Sequence, residues 1–215
     1  MLFRDRSDAG KKLALRLLEY KDKPETIVLG LPRGGVILAY EVAKFLDLPL
    51  DIVGPRKIGA PHNPELAVAA IAEDGSIVIN DQLMKDLDLQ LNDLQSLIAQ
   101  EKNEAARRMK VYRAGRAPLE LAGKTVILVD DGVATGATMR VAIASVRSRG
   151  AKTIIVAVPV APPEVLDEIR PEVDDIVCLL VPELFFGVSG FYENFPQTED
   201  QEVIDLMAKS KQPAV

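Results

Sequence analysis

VILVDDGVATGATM, residues 126–139, is the stretch on which the reading of the chain turns. Branched apolar residues run into two adjacent acids, Asp130 and Asp131, and then into a turn of small residues and hydroxyls. An apolar run without alternation suits a strand buried on both faces, and such strands belong to parallel sheets covered by helices. In a doubly wound sheet, ligands bind outside the carboxyl ends of the strands, which is where the acids stand. The turn opens a helix at about Thr135. Backbone N–H groups there lack intrahelical partners and point outward, and the helix dipole adds positive potential. Gly132 and Gly136 let the backbone close around an oxyanion. With Val133, Ala134 and Ala137 between them, and hydroxyl donors from Thr135 and Thr138, the turn forms a phosphate cradle that uses no lysine.

The acids need a different target, because two carboxylates repel a phosphate unless they face something else. The vicinal hydroxyls of a ribose suit them, since each carboxylate accepts from an O–H. A Mg²⁺ ion suits them as well. A phosphate cradle one sugar's length from a diol-binding acid pair describes a ribose 5-phosphate site. The plainer account is a strand–turn–helix connection with Asp131 as a cap, but it needs only one acid and no ordered Thr-Gly-x-Thr. Other phosphate motifs fail: there is no Gly-x4-Gly-Lys-Ser/Thr, and Gly30-Leu-Pro-Arg-Gly34-Gly35 is not Gly-x-Gly-x-x-Gly.

Outward from this stretch, apolar runs alternate with helical patterns. Residues 7–20 read as a helix with Ser7 as N-cap, 26–31 as a buried strand, 35–46 as a helix and 50–53 as a short strand. Residues 66–72 and 76–79 form a hairpin around Glu-Asp-Gly. Residues 81–113 read as two polar helices broken near Asp88, with a narrow apolar stripe that packs on the body. The basic residues Arg107, Arg108, Lys110, Arg113 and Arg116 read as a solvated face, with attraction of an anion as the second reading. Strands resume at 125–129, 153–158 and 176–181, with helices over 135–149 and 163–169 between them, and a frayed tail follows from Ser210. The expected fold is α/β: one domain over 1–215 with a doubly wound, mostly parallel sheet, a helical insertion at about 81–115 and a small hood region at about 182–209.

Composition agrees with one domain. The chain has 215 residues, 48% of them hydrophobic, enough for one sizeable core. A net charge of -6 argues against a general nucleic-acid binder, although a local site can still attract a small anion. The single cysteine, Cys178, lies in an apolar run and reads as buried packing. No window reaches 18 uninterrupted apolar residues, so a soluble, cytoplasmic protein without a membrane partner is expected.

A second anion site is legible. Residues 30–35 also follow a strand and open a helix, and Arg33 adds a guanidinium fork. Two such sites on one sheet suit a substrate with phosphate at both ends. Residues 54–67, GPRKIGAPHNPELA, carry Arg56, Lys57 and the only histidine, His62, among prolines and glycines, and read as a loop with donors along it.

The 126–139 stretch resembles the ribose-phosphate-binding motif of the type I phosphoribosyltransferases: apolar strand, two acids, three small residues, Thr-Gly-x-Thr. The order of elements over most of the chain is similar too, above all to the uncharacterised bacterial and archaeal subgroup. The resemblance implies that Asp130 and Asp131 bind the ribose hydroxyls of phosphoribosyl pyrophosphate, with Mg²⁺ among its oxygens, and that residues 132–138 bind the 5-phosphate. It implies that Leu31, Pro32, Arg33, Gly34 and Gly35 form the pyrophosphate loop, with a cis or strained bond between Gly30 and Gly34. Arg56 and Lys57 would sit on a mobile loop that closes over pyrophosphate. The implied reaction is displacement of pyrophosphate from ribose C1 by a nitrogen acceptor, a nucleobase, with Arg33, Lys57, Asp130 and Asp131 as the catalytic groups. The implied assembly is a homodimer. One departure narrows the acceptor. In 6-oxopurine members an Asp usually precedes the Thr-Gly; here it is Ala134, as in adenine- and orotate-type members.

The acceptor end is less legible. VPELFFGVSGFYENF, residues 181–195, holds Phe185, Phe186 and three more aromatics. They serve either as a base pocket, with His62 as a further candidate, or as an apolar plug for the sheet edge. An alternative function also stands: a non-catalytic protein of the same fold that senses phosphoribosyl pyrophosphate or a nucleotide.

Overall fold

In the computed structural model, which describes residues 2–211, the apolar runs become a five-stranded parallel sheet. The chain order is α1 (Arg6–Arg16), β1 (Thr26–Gly30), α2 (Gly35–Leu46), β2 (Leu50–Ile52), β3 (Arg56–Ala60), β4 (Asn63–Ile71) and β5 (Ile77–Ile79). There follow α3 (Asp81–Asp86), α4 (Gln95–Tyr112), β6 (Thr125–Val129), α5 (Ala137–Ser148), β7 (Thr153–Val160), α6 (Pro163–Ile169), β8 (Asp175–Leu180) and α7 (Asp200–Lys209). The parallel sheet runs β2-β1-β6-β7-β8, and β3-β4-β5 form a separate antiparallel sheet.

The uninterrupted apolar strands resolve into two faces. Val28, Ile127, Val129 and Ile155 pack with α1, α2 and α7, while Ile27, Leu29, Val126, Leu128 and Ile154 pack with α5 and α6. Each fully buried Val, Leu or Ile contributes about 1.5–3 kcal/mol, so this double-sided core fixes the central strands firmly. No helix among the described residues is long and apolar enough to cross a membrane.

Several expectations are corrected. Asp5, not Ser7, caps α1, accepting from the N–H of Asp8 at 2.8 Å; the Ser7 hydroxyl donates to Glu41 instead. Residues 54–67 are not a loop. β3 pairs β4 antiparallel with Ala60 opposite Asn63, so only Pro61 and His62 form the turn. Gly59 sits at an irregularity of this hairpin, where a Cβ would land on the backbone of Pro64. Prolines and glycines that read as loop punctuation therefore mark a bulged strand pair. The helical insertion is part of a larger unit, because α3 and α4 pack on β3 and β4 through small clusters around Val68, Leu94, Ile58 and Ile71. The break near Asp88 is present, with that residue at φ 50°.

The basic cluster is not a uniform solvated face. Arg113 is buried, pairing with Asp51 at 2.8 Å and Glu73 at 3.2 Å, and Arg116 donates to the Met207 carbonyl. Cys178 is half-buried on the edge strand β8, where it donates to the Leu180 carbonyl at 3.2 Å. Within the hood, α7 packs on α2 and α4. Of the tail expected to fray, Lys211 is tied to Asp47 at 2.7 Å, and 212–215 lie outside the described residues.

Candidate active site

β1 and β6 are in-register neighbours, with Gly30 beside Val129, so the loops that leave them emerge side by side at the carboxyl edge of the sheet. Asp130 and Asp131 stand half-buried at the end of β6. The Asp131 N–H donates to Asp130 Oδ1 at 2.8 Å. Asp131 Oδ2 accepts from Arg6 Nε at 2.7 Å, and the Tyr192 hydroxyl donates to the Asp131 carbonyl at 2.6 Å. Burial pushes the Asp130 carboxyl well above its ordinary value, and the Asp131 charge adds to that. Burial raises Asp131 too, while Arg6 pulls it down. Burial thus disfavours charge on both acids, and hydroxyl donors or a cation would stabilise their carboxylate forms.

The loop after β1 lies directly on these acids. The Leu31 N–H donates to the Val129 carbonyl at 2.9 Å, and the Pro32–Arg33 peptide bond is cis, within the stretch where unusual geometry was expected. A Cβ on Gly34 would land on Asp131 Oδ2 and come within 2.6 Å of Arg6 Nε; one on Gly35 would come within 2.8 Å of Asp130 Oδ1. Only glycine permits this approach.

On the other side, α5 begins two residues later than expected, at Ala137, with Gly136 as its cap at φ 74°. The first backbone bond of this turn runs from Arg140 to the Gly136 carbonyl, so the N–H groups of Ala137, Thr138 and Met139 precede the ladder. Thr135 is exposed and Thr138 half-buried. Val133 is the exception in the expected cradle: its side chain is in the core and its N–H is bonded to the Val160 carbonyl at 3.0 Å.

A cleft of about 290 Å³ separates these loops from the antiparallel sheet. Pro32, Arg33, Arg56, Lys57 and Thr138 line it together, as does α4 through Arg108, Met109 and Tyr112. Arg56 pairs with Glu101, and Lys57 is exposed. Arg33 reaches Asp200 Oδ1 at 3.5 Å, and the Tyr112 hydroxyl donates to the same oxygen at 2.6 Å. Burial and this bond push the Tyr112 hydroxyl up to about 12, while the same bond lowers Asp200. A second cavity of about 440 Å³ lies beyond the start of α5, lined by Thr135, Arg140, Asp81 and Glu168. Arg140 is paired there with Glu172.

The acceptor candidates do not line the cleft. His62 is exposed at the hairpin turn. Phe185 stacks on Phe191 with centroids 5.6 Å apart, and Phe191, Tyr192 and Phe195 pack on the core, as an apolar plug does. Phe186 alone of the five aromatics is displayed, 96% exposed. Sequence reasoning missed Arg6, Tyr112 and Asp200, which touch site residues only through tertiary contacts. Arg108 stood in the basic cluster but with no sign that it faces a cleft.

Among the described residues, no three His, Cys, Asp or Glu side chains form a metal cage. A Mg²⁺ ion commonly takes one or two carboxylates and shares the rest of its shell with phosphates and water. Asp130, which has no side-chain cation on it, fits that arrangement; Asp131 is committed to Arg6.

The phosphoribosyl transferase domain profile matches residues 4–195. Two Mycobacterium tuberculosis sequences, each provisionally named a phosphoribosyl transferase, are 43% identical over 209 residues, which is 97% of this chain. The chain spans about half the length of these curated relatives, 47%. The crystal structure of TT1426 from Thermus thermophilus superimposes with a TM-score of 0.82 at 38% identity, covering 99% of this chain and 100% of that one.

Proposed function

The chain belongs to the phosphoribosyl transferase family, and from that premise we propose that it binds phosphoribosyl pyrophosphate with Mg²⁺ and transfers the phosphoribosyl group to a nitrogen acceptor, a nucleobase. One observation carries this reading. The acid pair at the end of β6 lies between two helix-opening loops on adjacent strands, and Arg33, Arg56 and Lys57 face one cleft beside them.

Each group then has a task that its position allows. The Asp130 and Asp131 carboxylates accept from the ribose hydroxyls. The N–H groups at the start of α5 and the Thr135 and Thr138 hydroxyls receive the 5-phosphate. Arg33, Arg56, Lys57 and Arg108 stabilise charge on the departing pyrophosphate, so catalysis rests on positioning and electrostatics with no covalent nucleophile. Asp130 would help hold a Mg²⁺ ion, which would supply charge neutralisation on the same leaving group. The developing positive charge on the ribose ring faces the half-buried acid pair, where a carboxylate acts more strongly than in water. Val188 packs against Gly132, and Tyr192 bonds the Asp131 carbonyl, so the hood segment borders the acid pair where an acceptor would approach.

The test is Mg²⁺-dependent pyrophosphate release on addition of a panel of nucleobases. Release with one base supports transfer and identifies the acceptor. Tight binding of phosphoribosyl pyrophosphate without release on any base replaces catalysis by sensing. Absence of binding overturns both.

A further inference from the structure

We infer that Arg6 is a positioning residue of this site, which orients the Asp131 carboxylate for the ribose hydroxyls and locks it to the hood segment at Phe195–Pro196. The inference rests on the binding of phosphoribosyl pyrophosphate proposed above.

Arg6 stands in the first turn of α1, 125 positions from Asp131, and is buried. Its guanidinium is held on three sides. Nε donates to Asp131 Oδ2 at 2.7 Å, Nη1 donates to the Pro196 carbonyl at 2.6 Å, and the Phe195 ring lies 3.7 Å from Cζ. Backbone pairing brings these partners together: Phe3 donates to Phe191, Glu193 to Phe3 and Asn194 to Arg4, at 2.8, 2.8 and 3.0 Å. The hood segment therefore runs along the residues just before α1, and Arg6 turns inward beneath it. Arg6 takes Oδ2, so the carboxylate's other oxygen, Oδ1, is the acceptor the ribose hydroxyls would use. The glycine loop fits around this pair, since a Gly34 side chain would strike both Arg6 Nε and Asp131 Oδ2. One planar fork serves an acid and a carbonyl while stacking on an aromatic ring, which an ammonium cannot do. A purely structural pair here has no need of a ligand-facing acid, because an apolar pair of similar volume is often as stable.

The experiment is calorimetric binding of phosphoribosyl pyrophosphate with Mg²⁺ to the wild type, Arg6→Gln, Arg6→Lys, Asp131→Asn and the Arg6→Gln/Asp131→Asn double variant. Thermal melts accompany each. Loss of a charge-assisted bond should weaken Arg6→Gln about tenfold or more, with partial rescue in Arg6→Lys. In the Asp131→Asn background the same change should cost little more, because the two act as one unit. Wild-type affinity in Arg6→Gln overturns the inference, and so does an equal loss with and without Asp131. If Arg6→Gln does not fold, Arg6→Lys and Arg6→Lys/Asp131→Asn supply the same cycle. No binding by the wild type overturns the parent reading, and this one with it.

Discussion

The carboxyl edge of the parallel sheet and the hairpin opposite it hold their cleft residues in different ways. At the sheet edge, Asp130 and Asp131 end a strand paired on both sides and buried on both faces. Arg56 and Lys57 instead ride on a hairpin whose own clusters are small, around Ile58, Ala69 and Ile71. That unit meets the body where Ala70, Ala72 and Val78 pack on Val141 of α5, where Met109 and Tyr112 of α4 enter the main core, and where Asp74 accepts from Ser145 and Ser148. Its buried ionic joint is a single side chain. Arg113, at the end of α4, donates to Asp51 of β2, to the Ile52 carbonyl and to Glu73 just after β4. Glu73 in turn accepts from the Gly54 N–H. The acid pair is thus held by a double-sided core, and Arg56 and Lys57 by a smaller sheet that docks on helices and on the Arg113 joint. Such a division suits a leaving group that must be gripped and then released.

Breaking the joint should have the largest effect. Arg113→Met strips buried Asp51 and half-buried Glu73 of their cation and should cost about 3–5 kcal/mol by urea unfolding. Limited proteolysis should then cut within 53–112 before it cuts the parallel sheet; cleavage in the sheet first would dissolve the distinction. At the sheet edge, Gly34→Ala forces a Cβ onto the Arg6–Asp131 pair. It should cost about 1–3 kcal/mol and abolish phosphoribosyl pyrophosphate binding, whereas Gly190→Ala, with open space around it, should do neither.

The two acids offer a finer contrast. Asp130 has its folded pKa raised above the ordinary 3.8. The native state then binds more protons than the unfolded chain between those two values, so stability falls as pH rises through that window. Above the raised value the penalty is fully present. Asp130→Asn should therefore raise the melting temperature near neutral pH, by about 2–4 °C for each 1 kcal/mol of penalty removed. The gain should vanish as pH falls towards the ordinary carboxylate range. Asp131 is raised as well, so Asp131→Asn removes a similar penalty, but it also leaves the buried Arg6 without its anion; its melting temperature should therefore fall below that of Asp130→Asn. Equal shifts of one sign in both variants would show that the two carboxylates are equivalent. The smallest structural effect belongs to Lys57→Ala. It should leave stability within about 0.5 kcal/mol and still weaken phosphoribosyl pyrophosphate binding, because Lys57 is exposed on the cleft wall.

The same division explains what was legible. The 126–139 stretch could be read because a double-sided strand, an acid pair and a Thr-Gly-x-Thr turn each leave a local mark. The hairpin at 56–71 could not, because bulged strands with proline and glycine carry the marks of a loop. Arg113 was hidden in a run of basic residues of which most are surface charges; Arg107 and Arg108 hold Glu104 down to about 2, as an ordinary exposed helix pair does. Ser7 looked like a cap because nothing local separates it from Asp5. The aromatics of 181–195 left two readings open, and packing divided them: Phe185 against Phe191, Phe186 into solvent.

By itself, then, the sequence determined the α/β architecture, the strand that carries the acids and the two glycine-containing turns. Those features follow from periodicity and backbone conformation, which act within a few residues. Tertiary structure alone decided that Arg6 would meet Asp131 and Phe195, that Asp200 would meet Arg33 and Tyr112, and that Arg113 would close the insert onto the sheet. Those partners lie tens of positions or more apart, and a charge leaves no periodic trace of the distant group that will neutralise it.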